Sequence, residues 1–268
     1  MAYFKKIYLY LFLVFFSSYT LADTLDLERK FNIYAKLPLV PKILIMDIIT
    51  LLKIENYEYE YEFIIKSKNI VDFINQVNGK GKVVGVIDNS YKPTNYTYKY
   101  TRKNKDKYVE MSYSNNLVEK IINLPEIDKS KLSIVSDDML VETIDPSTFF
   151  LNLLDFNKTK DCKNKFKIFD GKRRYDVVFT NINITKKNTI ECEANQIRLG
   201  GYKKDEKVSD VFAASDYIKV IYSNNLDKDF IGYEAKNGSI KIIIEEIKWV
   251  VALYFFSNYL SPHLSMRL

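Results

Sequence analysis

From position 57 to 66 apolar and charged residues alternate, with Ile64 the one departure. Tyr57, Tyr59, Tyr61, Phe63 and Ile65 fall on one side, Glu58, Glu60, Glu62 and Lys66 on the other. Successive side chains of a strand point to opposite faces, so this period of two specifies a strand with one wet and one buried face. The pattern recurs along the chain. Tyr96, Tyr98 and Tyr100 alternate with Thr97, Lys99 and Thr101. After the polar stretch 103–106, Val109, Met111 and Tyr113 line up as the partner of an antiparallel hairpin. Two more hairpins carry turn chemistry, because two-residue turns of positive φ favour Asp-Gly and Asn-Gly. Asp170-Gly171 joins 166–169 to Tyr175, Val177 and Phe179, and Asn237-Gly238 joins 230–235 to Ile240, Ile242 and Ile244. Ile218, Val220 and Tyr222 extend the second hairpin into a meander.

Helical signals are fewer. Asp145 suits an N-cap and Pro146 the first helical position, and Phe149, Phe150, Leu153 and Leu154 then recur at helical spacing, with an end before Asn157. This helix is expected to lie across an open sheet face. The almost continuously apolar stretch 43–54 fits a buried strand or a core helix; Pro38 and Pro41 place its start near Lys42 and favour an extended entry. Residues 69–77 fit a short helix or a continuing strand. The expected fold is mainly β: a curved antiparallel sheet or half-barrel with one or two short helices packed on it, in a single domain over 23–249 with no internal repeat.

The two ends differ from this middle. Lys5 and Lys6 precede the apolar stretch 7–16, and Ser17, Ser18 and then Thr20-Leu21-Ala22 follow, with small residues at positions minus three and minus one before Asp23. That arrangement reads as a secretory signal peptide over 1–22; the alternative, a retained anchor, is disfavoured because the apolar run falls short of the roughly 20 residues of a membrane span. The apolar tail 250–268, introduced by Trp249, suits a last strand, a helix closing a barrel mouth, or an interfacial anchor giving contact with a membrane surface. In an exported chain Cys162 and Cys192, the only two cysteines, are expected to form a disulfide, against the alternative of two buried thiols. Export through this route implies a periplasmic location.

Several chemistries are excluded by what is scarce. The one histidine, His263, is near the end of the chain, which removes imidazole-built zinc sites and most triads that use His as base. Adjacent carboxylates at 137–138 and 245–246 point to opposite faces of a strand and cannot converge for acid and base work. The string Gly79-Lys80-Gly81-Lys82 lacks phosphate-loop spacing and has no helix after it, so it reads as a plain turn. The net charge of +6 is spread along the chain, and the basic stretch 99–107 reads as a hairpin tip, which argues against nucleic acid. No metal, no cofactor and no enzymatic reaction are expected.

The densest polar cluster is Asp170-Gly171-Lys172-Arg173-Arg174-Tyr175-Asp176, which sets two guanidinium groups beside a tight turn. Forked hydrogen bonds from Arg173 and Arg174, with Tyr175 beside them, suit an anionic headgroup or partner carboxylate; Arg174 and Asp176, two apart on one strand face, suit equally a solvated, ordered hairpin. Asp145-Pro146, Cys162, the string 169–176, Cys192, Gly200-Gly201-Tyr202-Lys203 and, upstream, Val84-Gly85 and Pro93 together resemble the pattern of the domain of unknown function 3108 family of exported bacterial proteins. The resemblance covers roughly 33–246. It implies a periplasmic β-rich protein without an assigned reaction. A further likeness is to the curved half-barrel of periplasmic lipoprotein carriers. The expected function is binding or carriage of an apolar or amphipathic, lipid-like ligand in a cavity lined by Tyr and Phe. The alternative is an envelope accessory protein that works through contacts with another envelope protein.

Overall fold

The computed structural model of the protein describes residues 25–69, 76–102, 104–159, 161–203 and 217–247. The expected signal peptide, residues 70–75 of the 69–77 element, Lys103 and the apolar tail with His263 lie outside the described residues. Thirteen strands form one antiparallel sheet. In chain order they are β1 (Leu25–Lys36), β2 (Ile43–Glu55), β3 (Glu58–Ser67), β4 (Val77–Asp88), β5 (Ser90–Arg102), β6 (Lys105–Ser114), β7 (Leu117–Leu124), β8 (Lys165–Phe169), β9 (Arg174–Ile184), β10 (Thr189–Gly200), β11 (Tyr217–Ser223), β12 (Phe230–Asn237) and β13 (Ile240–Glu246). Each half is a meander, β1 to β7 and β8 to β13, and the halves join where β1 pairs β13 from Phe31↔Glu246 to Lys36↔Lys241.

Register shifts bend the sheet. They fall at Ile33/Tyr34, Val84/Gly85, Ser112/Tyr113, Glu193/Ala194, Arg198/Gly200 and Ile221/Tyr222. An extra residue on one strand increases local twist and bends the strand. Pro93, which has no amide to donate, sits opposite one such shift. The outermost strands β7 and β8 do not pair with each other, so strand pairing leaves the sheet open. A strip of the long β7–β8 connection lies between them. Glu142 N–H donates to Asn116 O (2.6 Å), Ile144 N–H to Lys167 O (2.9 Å) and Phe169 N–H to Ile144 O (3.0 Å), so both edges are bonded to the strip.

The same connection supplies helix α1 (Pro146–Leu153), which lies on the concave side. Asp145 caps it as its sequence predicts: one carboxylate oxygen accepts from the Ser147 and Thr148 amides at 2.8 and 2.9 Å. The helix packs in both directions. Phe149 meets Phe166 and Phe150 meets Phe31, with ring centroids 5.2 and 5.3 Å apart, while Leu151 belongs to a second cluster around Tyr59, Tyr61 and Phe63. Its buried Asn152 bonds both backbone groups of Tyr91 (3.1 and 3.2 Å), and the Tyr222 hydroxyl donates to Leu153 O (2.7 Å). The helix is thus fixed to β5 and β11 and fills much of the hollow that the curved sheet leaves.

Of the two readings of the stretch 43–54 the strand is the one formed, as β2. Other local expectations need correction. Tyr57 does not begin β3 but occupies the β2–β3 turn with Asn56, both at positive φ, and is 80% exposed. In both glycine turns the two-residue loop sits one position later: Asp170 N–H donates to Arg173 O (3.2 Å) around Gly171-Lys172 with Gly171 at φ 87°, and Asn237↔Ile240 flank Gly238-Ser239 with Gly238 at φ 55°. A turn of the type that needs glycine first explains the offset. Gly79-Lys80-Gly81-Lys82 is not a turn; it lies inside β4, paired on both sides.

Candidate ligand-binding site

A recess of about 330 Å³ remains on the concave face beside the N-terminal end of α1. That volume is at the lower end of the range for small-molecule pockets. Its wall comes from the inward positions of adjacent strands: Met46 and Ile48 of β2, Phe63 and Ile65 of β3, and Tyr98 of β5. Pro146, Ser147 and Phe150 bound it from the helix side. Period two in the strands puts these residues on one face, and the helix N-terminus, set by its cap, leaves the space open.

The glycines of β4 explain the shape of that wall. A Cβ on Gly81 would fall 2.1 Å from Phe63 Cζ, and one on Gly79 would fall 2.7 Å from Tyr98 Cε2. The two rings therefore lie directly over glycine backbone, where no other residue would leave room. Their centroids are 5.5 Å apart, so they form one continuous aromatic surface. Neither residue stood out as a site residue in the sequence. The signal that marks them is the pair of alternate glycines facing aromatic positions on both neighbouring strands.

Beneath the helix N-terminus lies a buried acid. Asp145 is completely inaccessible, and burial raises its carboxyl pKa to about 6 from an ordinary 3.8; the hydrogen bonds from Thr148 and Ser147 pull it down and are outweighed. The Thr148 hydroxyl donates to its second oxygen at 2.5 Å, which leaves Thr148 to accept from the Tyr59 hydroxyl at 3.1 Å. Since the folded carboxyl keeps its proton to higher pH than the unfolded one, the folded state binds more protons between about pH 4 and 6. This group's contribution to stability therefore falls as pH rises through that window, by roughly 3 kcal/mol. Asp145→Asn retains an acceptor for the two amides and abolishes the titration. The stability of the variant relative to wild type, measured by urea denaturation, should climb by roughly that amount from pH 4 to 7. A difference independent of pH would show that Asp145 does not titrate there.

The residues singled out in the sequence occupy a different place. Arg174 is not at a rim: it is 3% exposed, its Nη1 lies 2.6 Å from Asp176 Oδ1, and its guanidinium donates to Met139 O (2.7 Å) and Tyr175 O (2.6 Å). Lys165 Nζ stands 2.7 Å from the other oxygen of Asp176. Arg173 pairs with Asp170 at 2.7 Å, and the same aspartate accepts from the Lys172 and Arg173 amides, holding the β8–β9 turn. Tyr175 packs against the larger core cluster, and burial pushes its hydroxyl pKa well up. None of the three lines the apolar recess. Cys162 and Cys192 form a disulfide, with Cα atoms 5.3 Å apart. A disulfide of this kind belongs to an oxidising, extracytoplasmic environment. Among the described residues no group of His, Cys, Asp and Glu could hold a metal ion, and no helix is long and apolar enough to cross a membrane.

Comparison with curated proteins finds no match. Among solved structures, the chain is similar to a crystal structure described as a β-barrel-like protein of domain of unknown function DUF1849 from Brucella abortus, at 8% identity and a TM-score of 0.45, covering 83% of this chain and 97% of that one. At family level, the profile described as protein of unknown function (DUF3108) matches residues 30–245, from within β1 to within β13, and the chain therefore belongs to the DUF3108 family.

Proposed function

We propose that this protein is a non-enzymatic periplasmic binding or carrier protein whose ligand places an apolar group in the recess between β1–β5 and the N-terminal end of α1. The observation that carries this reading is an almost wholly apolar surface left open beside the N-terminal end of α1. Met46, Ile48, Ile65 and Phe150 are only partly buried, though each faces inward. Apolar surface of this kind gains from an apolar occupant at roughly 25 cal/mol per Å² removed from water. The alternative role, contact with an envelope protein through a sheet edge, is less favoured because β7 and β8 already bond to the strip between them. Arg173 and Arg174 serve in this reading as framework for the β8–β9 turn rather than as ligand contacts.

The neutral apolar dye N-phenylnaphthylamine should bind saturably, one per chain, with enhanced fluorescence. Ser147 borders the recess, and its capping contact with Asp145 uses the backbone amide only, so Ser147→Trp can fill the space without removing the cap. The substitution should weaken dye binding by about tenfold or more, equivalent to about 1.4 kcal/mol, with an unchanged melting temperature. Absence of saturable binding, or dye affinity indifferent to Ser147→Trp, would count against the recess as the site.

A further inference from the structure

We infer that the ligand of the recess is a single-chain amphiphile with an anionic headgroup, and that Lys107 and Lys172 receive that headgroup where the aromatic wall ends. The inference rests on the proposed binding role and adds the class of ligand. The wall does not stop at Tyr98: its ring stacks on that of Tyr100, with centroids 4.8 Å apart and planes 18° from parallel. Tyr100 is the register partner of Lys107, so the two side chains share a face, and Lys107 Nζ lies 5.7 Å from the Tyr100 centroid. Lys172 reaches the same place from the β8–β9 turn. It lines, with Tyr100 and Lys107, a hollow of about 280 Å³. An aromatic track thus runs from an apolar recess to a pair of ammonium groups.

The electrostatics there favour an anion. The pKa of Lys107 is lowered, first by partial burial and then by the charges of Arg102, Lys172 and Lys105. Two carboxylates border the hollow. Asp170 is engaged with Arg173 and with the turn amides, and Glu126 is exposed. Like charges gathered beside apolar surface repel one another, and a carboxylate or phosphate placed between them relieves that repulsion. A neutral apolar molecule would use the recess and leave the lysines as they are, whereas a free inorganic anion would use the lysines and leave the recess empty. Only an anionic amphiphile uses both.

The test compares, by calorimetry at low ionic strength, dodecanoate, dodecyl phosphate, the neutral glycerol monododecanoate and inorganic phosphate. Both anionic amphiphiles should bind about tenfold more tightly than the neutral one, and inorganic phosphate far more weakly than dodecyl phosphate. In the Lys107→Gln/Lys172→Gln variant the anionic preference should shrink to about twofold while affinity for the neutral amphiphile and the melting temperature stay put. Equal binding of neutral and anionic amphiphiles by the wild type, a preference that survives the double substitution, or phosphate binding as tight as that of dodecyl phosphate would each overturn the inference and leave the recess reading standing. Failure of all three amphiphiles to bind would overturn the recess reading itself.

Discussion

Replacing Arg174 with alanine should cost about 3–5 kcal/mol of folding stability, the range for removing one partner of a buried ion pair. The Arg174 side chain is 4% exposed and that of Asp176 6%, so neither charge is solvated to any useful degree. Without the guanidinium, Asp176 keeps only Lys165, which is half exposed and contacts the other oxygen. Asp176 Oδ1 accepts no directed hydrogen bond even in the intact protein, so the Arg174 guanidinium is the charge that faces this oxygen, while Lys165 faces the other. Met139 O also loses its donor, and Met139 belongs to the connection that carries the strip between β7 and β8. The loss therefore combines a buried carboxylate left with one half-exposed partner and an unbonded carbonyl. Arg174→Lys restores charge but not the fork that reaches both Asp176 and Met139, and should recover part of the loss. Urea denaturation at pH 7 measures both variants. A loss below about 1 kcal/mol for Arg174→Ala, the range of exposed pairs, would show that water reaches the guanidinium and would reopen its role as a ligand contact.

That placement also marks where the sequence stops being informative. Period two identified β3, the β5–β6 hairpin, and the inward faces of β11 and β13, since a one-residue slip would turn every apolar side chain out. The cap of α1 was legible for a local reason, as Asp145 and Pro146 act within one turn. Arg174 was not, because its burial depends on a carbonyl at Met139, far away in the chain, and a charged string beside a turn looks the same whether solvated or enclosed. Gly79 and Gly81 were read as a turn because glycine usually marks one. Their actual role, making room for Phe63 and Tyr98, exists only once β3, β4 and β5 are paired. The turns at Asn56-Tyr57 and Asn115-Asn116 escaped notice because asparagine, which tolerates positive φ through its short polar side chain, stands where glycine would be the signal. The strand β1 shows little alternation at its exposed first residues, and it is the strand that joins the two meanders. The recess follows from where the helix ends relative to the sheet, a relation that no single segment encodes.

Removing the disulfide by Cys162→Ala/Cys192→Ala should cost about 3.6 kcal/mol, the chain-entropy figure for a loop of the observed separation of 30 residues. For a protein of this size the loss corresponds to a fall in melting temperature of roughly 7–14 °C. The closed loop contains β8, β9 and the start of β10, and it ties the segment after α1 to the middle of the second meander. Cys192 is fully buried between Ile182 and Val220 on the neighbouring strands, and Cys162 is 3% exposed, so the native environment of the bridge is apolar and closely packed. Alanine at both positions keeps that environment dry, whereas two serines would bury hydroxyl groups without partners. Because the constraint acts mainly on the unfolded chain, the folded protein should bind N-phenylnaphthylamine as before at temperatures where it remains native; neither cysteine lines the recess. Reducing agent should reproduce the loss in the wild type only once the chain is opened by denaturant, since both sulfurs are enclosed. A stability loss below about 1 kcal/mol would mean that the unfolded chain already holds these segments together. Two thiols titrating in the protein under denaturing, non-reducing conditions would mean that the bridge does not form.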